Sequence, residues 1–134
     1  MSVVYLTRAD LIGINQRLCQ HTRQPFGLCD AAALDQAVQR PGLWLDGYEP
    51  FPEIWEKAAV LLDSLAKGSA FLRANRLTGF LAADQMLRQN GYRLQSQAED
   101  AELITSVSLQ QVTVLQIAEW LRGRAQEQTE GANG

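Results

Sequence analysis

The stretch Ile54-Trp55-Glu56-Lys57-Ala58-Ala59-Val60-Leu61-Leu62-Asp63-Ser64-Leu65-Ala66-Lys67 carries apolar residues on more than one face of a helical projection. A helix that is apolar nearly all round is one that other elements surround. Further on, Phe80-Leu81-Ala82-Ala83-Asp84-Gln85-Met86-Leu87 is strongly apolar again and runs into Asn90-Gly91, a C-terminal stop signal. These patterns predict two helices, over residues 52–67 and 75–90, forming a central hairpin joined through the loop from Ser69 to Thr78. Pro52 suits the first turn of the earlier helix, where a missing N–H costs nothing. Gly68 is placed to be its left-handed cap.

The flanking sequence is helical in period almost throughout. Thr7 followed by Asp10 forms a capping signal for Leu11, Ile14 and Leu18, which share one face of a helix over about 7–20. Gln24-Pro25-Phe26-Gly27 reads as a turn. Asp30 caps a short helix containing Leu34 and Ala37, which Arg40-Pro41-Gly42 ends. In residues 43–51 the dipeptide Asp46-Gly47 sits between Leu43-Trp44-Leu45 and Tyr48, a hairpin signal. Pro50 and Pro52 forbid a long strand there, so a short flap is expected. Ser96 to Glu99 and Thr113 to Gln116 are capping boxes for two more helices. The fold class is therefore all-α: five to six helices around the hairpin over residues 1–124, followed by a disordered polar tail over 125–134.

Composition narrows the function classes. A chain of 134 residues that is 46% hydrophobic can bury a core without disulfide or metal staples. Its net charge of -3 comes from interspersed acids and bases, with no basic stripe, which argues against DNA or RNA as partner. No apolar run approaches the ~20 residues needed to span a bilayer. With no signal-peptide pattern in its first ten residues, the protein is expected in the cytoplasm. Cys19 and Cys29 lack metal-ligand or disulfide-framework spacing and read as reduced, buried thiols. His21 has no ligand partners at suitable spacing and reads as surface, so no metal site is expected.

The loop reads Ser69-Ala70-Phe71-Leu72-Arg73-Ala74-Asn75-Arg76-Leu77-Thr78. Together with Tyr5-Leu6-Thr7, Leu34-Asp35-Gln36-Ala37-Val38-Gln39-Arg40-Pro41, Lys57 to Leu62, and Leu87-Arg88-Gln89-Asn90-Gly91-Tyr92, it resembles the Fic/Doc family. The closer likeness is to the Doc (death-on-curing) toxins of toxin–antitoxin modules, and it extends over about Tyr5 to Arg122. The family loop is approximately H-x-F-x-[D/E]-[G/A]-N-[K/G]-R-T. The resemblance implies transfer of a phosphoryl or nucleotidyl group from a nucleotide to a protein hydroxyl. Such chemistry needs a base near neutrality, an acid to hold magnesium, and N–H or cationic groups on the phosphates.

Matched position by position, Ser69 stands where the family has its histidine, Arg73 where it has the acidic metal ligand, and Leu77 where it has an arginine. Phe71 matches the aromatic that anchors the loop, Asn75 the loop asparagine, and Thr78 the threonine, while Ala74 is the Doc alternative to glycine. Arg76 is basic like the lysine of Doc proteins. The resemblance therefore implies a toxin-module protein with a degenerate motif. No residue is assigned a catalytic role, Ser69 at the histidine position being the nearest candidate. Arg73, Ala74, Asn75, Arg76 and Thr78 are the candidates for holding a phosphate-bearing ligand such as ATP, without magnesium. Trp44, Tyr48 and Phe51 on the flap are candidates either for the core or for docking a partner segment. Expected partners are an antitoxin-like protein or peptide and a translation-related target, with no nucleic acid and no membrane. Two alternatives stand beside this: an active transferase with a rebuilt site, and a pure interaction module acting through the flap.

Overall fold

The computed structural model describes residues 2–95 and 111–128 of the chain. Within them lie five α-helices: α1 (Arg8–His21), α2 (Ala31–Gln39), α3 (Ile54–Lys67), α4 (Asn75–Gln89) and α5 (Val114–Arg124). A single 3-10 turn, Arg40–Gly42, extends α2. Two three-residue strands, β1 (Tyr92–Leu94) and β2 (Ala125–Glu127), pair antiparallel, Arg93 opposite Gln126. Among the described residues the fold is all-α apart from this ribbon, a minimal flap and one bridge between Leu28 and Phe71. The helix expected to begin at Ser96 falls outside the described residues.

α3 is the hub. Every residue from Lys57 to Leu62 is buried, as are Leu65 and Ala66. α4 packs along it, α5 and α2 lie against other parts of its surface, and α1 packs on α4. Each fully buried leucine of this core contributes roughly 1.5–3 kcal/mol over exposure. The close approach of α3 and α4 depends on Gly79, where an added Cβ would lie 2.9 Å from the carbonyl oxygen of Leu62.

The helix starts follow their local chemistry. The Thr7 hydroxyl accepts from the Asp10 N–H, whose carboxylate accepts from the Thr7 N–H in return. Thr113 and Gln116 repeat the arrangement at α5. Asp30 accepts from the Ala33 N–H to cap α2.

Four local expectations are corrected. α3 begins at Ile54 with Glu53 as N-cap, so Pro52 lies outside the first turn; Glu56 reaches back to the Glu53 N–H to close the start. Gly68 has φ -85° rather than a left-handed conformation. What requires glycine there is space, since a Cβ would meet the Ser64 carbonyl oxygen at 2.8 Å. Cys19 is buried but Cys29 is exposed, because it lies in an extended segment that turns Leu28 inward and its neighbour outward. The tail expected to be frayed from residue 125 opens instead with β2, whose backbone pairs with β1.

Candidate functional site

The loop joining α3 to α4 is held by backbone pairing on one side and by side-chain amides on the other. Residues 27–30 run antiparallel to it: the Cys29 and Asp30 N–H groups donate to the Ala70 carbonyl (2.7 and 3.1 Å), and the Leu72 N–H donates to Gly27 (2.8 Å). This ribbon carries Phe71 opposite Leu28 and points the Phe71 ring into the core, 6.2 Å from the ring of Phe26. The side chain of Asn75 then closes the turn. Its Oδ1 accepts from the Phe71 N–H (3.0 Å) and its Nδ2 donates to the Phe71 carbonyl (2.8 Å). An amide paired with a peptide unit in this way mimics one more residue of strand pairing.

Ala74 turns the chain into α4 with φ 62° and ψ 31°, a left-handed conformation rare for a residue with a Cβ. Lacking a polar side chain, it leaves the first turn of α4 without a side-chain cap. From inside, Asn15 of α1 holds the loop: its Nδ2 donates to the Arg73 carbonyl (2.8 Å) and to the Thr78 hydroxyl (3.0 Å). The Thr78 hydroxyl donates onward to the Ala74 carbonyl at 2.7 Å. Cys19 completes the network by donating to Asn15 Oδ1 at 3.5 Å.

The sequence candidates thus separate into two sets. Phe71 and Thr78 are buried, and the amide of Asn75 is engaged with Phe71, so these three shape the loop from within. Ser69, Arg73 and Arg76 are exposed. Ala74 and Asn75 place backbone at the start of α4, where the uncapped N–H groups carry the positive end of the helix dipole. Arg73 and Arg76 flank this start in sequence, and among the described residues neither is in an ion pair. Among the described residues there is no group of three or more His, Cys, Asp or Glu side chains that could hold a metal ion.

The flap is a single turn. Leu45 and Tyr48 exchange both backbone hydrogen bonds (2.7 and 2.8 Å) around Asp46 (φ 50°) and Gly47 (φ 86°). Such a turn needs two left-handed residues, which Asp-Gly supplies. Trp44 and Tyr48 are 64% and 65% exposed, which places both outside the core. Phe51 is half-buried beneath the guanidinium of Arg40, 6.0 Å away. At the base of the flap lies Lys57, only 1% exposed. Its ammonium donates to the Pro41 carbonyl (3.0 Å) and to Glu49 Oε2 (2.6 Å), and it lies 5.4 Å from the ring centre of Tyr5. Burial works against that charge, but the hydrogen bonds of Glu49 and Tyr5 outweigh it and hold the lysine above its ordinary range.

Asn15 and Lys57 are the structural residues that sequence reasoning did not single out. Each is one polar residue among apolar neighbours on its helix, and its partners are distant in sequence. A separate groove of about 460 Å³ runs between α1 and α4, with Ile14, Leu18 and Leu81 alongside Arg17, Arg88 and the exposed His21. No loop residue lines it. No helix among the described residues is long and apolar enough to cross a membrane.

Known proteins resemble this chain in sequence. Residues 5–87 match the model of the Fic/DOC family, a span that contains α1 to α3, the flap, the loop and nearly all of α4. A 65-residue segment is 42% identical to the protein Toxin Doc of Mycolicibacterium smegmatis, covering 48% of this chain and 50% of that protein. The match therefore spans about half the length of this curated relative. With the family match running from the first helix through the loop and into the helix it opens, this chain belongs to the Fic/DOC family.

Proposed function

We propose that this chain is a Doc-like protein of a toxin–antitoxin module that has lost the family's transfer activity and retains an anion- or peptide-binding cleft at the loop. The likeness to Toxin Doc supports the module assignment. The carrying observation is the pair Ser69 and Arg73, which stand where the resemblance places a histidine base and an acidic metal ligand. A serine hydroxyl cannot store a proton near neutrality without a base of its own. A guanidinium repels magnesium where a carboxylate would attract it. The side chains present do not fit a magnesium site at this corner, and no step is routed through one. They fit an anion held by Arg73, Arg76 and the open N–H groups of α4, as a phosphate group of ATP would be without metal.

The partners under this reading are an antitoxin-like protein or peptide and a translation-related protein, met in the cytoplasm. Incubation of the protein with ATP or other nucleotides, magnesium and a translation factor is expected to leave the factor's mass unchanged. A stoichiometric mass increase on the factor would overturn the proposal in favour of an active enzyme with a rebuilt site.

A second reading draws on the flap, where Trp44 and Tyr48 are exposed side by side with a two-residue turn. Exposed aromatics concentrate binding energy at interfaces. Under this reading the protein is an interaction module. Substituting Trp44 and Tyr48 would abolish partner binding, while Arg73→Ala and Arg76→Ala would leave it intact.

A further inference from the structure

Lys57 joins parts of the chain that are otherwise separate. The Pro41 carbonyl lies just before the flap, Glu49 just after its turn, and Tyr5 belongs to the N-terminal segment. All three meet on one ammonium carried by the central helix. Among the described residues, the only other hydrogen bonds and cation–ring contacts from residues 43–51 to the body are the Leu43 N–H on the Arg40 carbonyl (3.2 Å) and the ring of Phe51 beneath Arg40. Between those points the backbone bonds of the flap are its own, between Leu45 and Tyr48.

The burial of this lysine calls for an explanation. An ammonium removed from water carries a desolvation cost of several kcal/mol unless it is paired and fully hydrogen-bonded. A leucine or methionine at this position would fill the same space in α3 without that cost. The lysine instead spends its donors on a carbonyl and a carboxylate that lie on opposite sides of the flap. Glu49 is itself partly exposed, with 30% of its side chain in contact with solvent, so it can return to water when the pair opens. The cost of opening therefore falls mainly on the lysine side, and the flap side is free to move. Tyr5 covers the same place, its ring packed so closely on Gly42 that a Cβ there would lie 3.2 Å from it.

We propose that Lys57 is a positioning residue that latches the flap: its buried ammonium holds residues 41 and 49, on either side of the flap turn, to α3, and breaking its pair with Glu49 releases the flap and leaves its two-residue turn unsupported while the helical core stays folded. This inference does not rest on the functional reading above. It concerns the mechanics of the fold, and it holds whether the flap meets a partner, a substrate or nothing.

The test is amide hydrogen exchange on the full chain, comparing the wild type with Glu49→Ala, Glu49→Gln and Lys57→Met. In Glu49→Ala the amides of Leu45 and Tyr48 are expected to exchange about tenfold faster or more, while those of Leu61 and Leu62 in α3 keep their wild-type protection. Glu49→Gln retains an acceptor without the charge and is expected to fall between the two. A residue that merely supports stability would raise exchange in flap and core together, which would overturn the proposal. Unchanged flap exchange in Glu49→Ala would overturn it equally. Should Lys57→Met fail to fold, the two Glu49 variants decide the matter alone.

Discussion

The side-chain amide of Asn15 donates to the hydroxyl of Thr78 across 3.0 Å, and both residues are fully buried. Through the same nitrogen Asn15 also reaches the Arg73 carbonyl, so one residue of α1 fixes the loop on both sides of its sharpest bend. Asn15→Ala is expected to strand both acceptors and to lower stability by about 2–3 kcal/mol, read as a shift of the urea midpoint. A change below about 0.5 kcal/mol, typical of a neutral surface site, would show that water replaces the amide.

Gly79 tests the contact between the central helices. At an ordinary helix interior, Gly→Ala stabilises by about 0.8–1 kcal/mol. At Gly79 the new Cβ would lie 2.9 Å from the Leu62 carbonyl oxygen and 3.2 Å from the Ala66 nitrogen, both of them backbone atoms that cannot swing aside. The helices would have to part, so Gly79→Ala is expected to destabilise by roughly 1–3 kcal/mol net of its propensity gain. Thermal unfolding of the two proteins gives the sign directly.

Ala74 should respond in the opposite sense. Its φ of 62° places it in a region that costs an L-residue about 1 kcal/mol or more and glycine nothing. Ala74→Gly is expected to be neutral or stabilising by up to about 1 kcal/mol, the greater freedom of glycine in the unfolded chain offsetting part of the relief. Ala74→Val is expected to destabilise more strongly, a β-branched residue being an outlier there. If valine is tolerated as well as glycine, the loop does not hold this conformation in solution.

Arg73 and Arg76 carry the ligand chemistry of the proposed cleft. ATP titrated calorimetrically is expected to bind with an affinity that magnesium does not raise, and either arginine changed to alanine is expected to weaken it about tenfold. Affinity that depends on magnesium would mean that the site recruits an acid from elsewhere in the chain.

The sequence made the helical hairpin legible because its signals are local and redundant: a long apolar period in α3, another in α4, and Asn90-Gly91 after the second. The capping boxes at Thr7 and Thr113 were legible for the same reason, each using residues three apart. The turn at Asp46-Gly47 could be read from its dipeptide, but the exposure of Trp44 and Tyr48 could not, because composition does not say which way a flap faces. At the loop, residue types put Ser69 and Arg73 at positions where the family resemblance expects a histidine and an acid. They did not reveal that Asn75 spends its amide on Phe71, since an asparagine opening a helix looks the same with or without a ligand. Asn15 and Lys57 were hidden because their partners lie 58 to 63 and 8 to 16 positions away in the chain. Gly68 was assigned the wrong reason, conformational freedom in place of a crowded carbonyl.

Asn90 grips Val4 just as Asn75 grips Phe71, accepting from its N–H (2.8 Å) and donating to its carbonyl (2.9 Å). The next residue, Tyr5, lies over Lys57 and Gly42. Val4 and Tyr5 thus form a yoke, one residue hooked to the far tip of α4 and the other seated on the flap's anchor. Displacing residue 4 from Asn90, as Asn90→Ala would do, is expected to loosen Tyr5 over Lys57 and so to speed amide exchange in the flap. A bulky label placed at residue 4 is accordingly expected to disturb the flap as well as the end of α4.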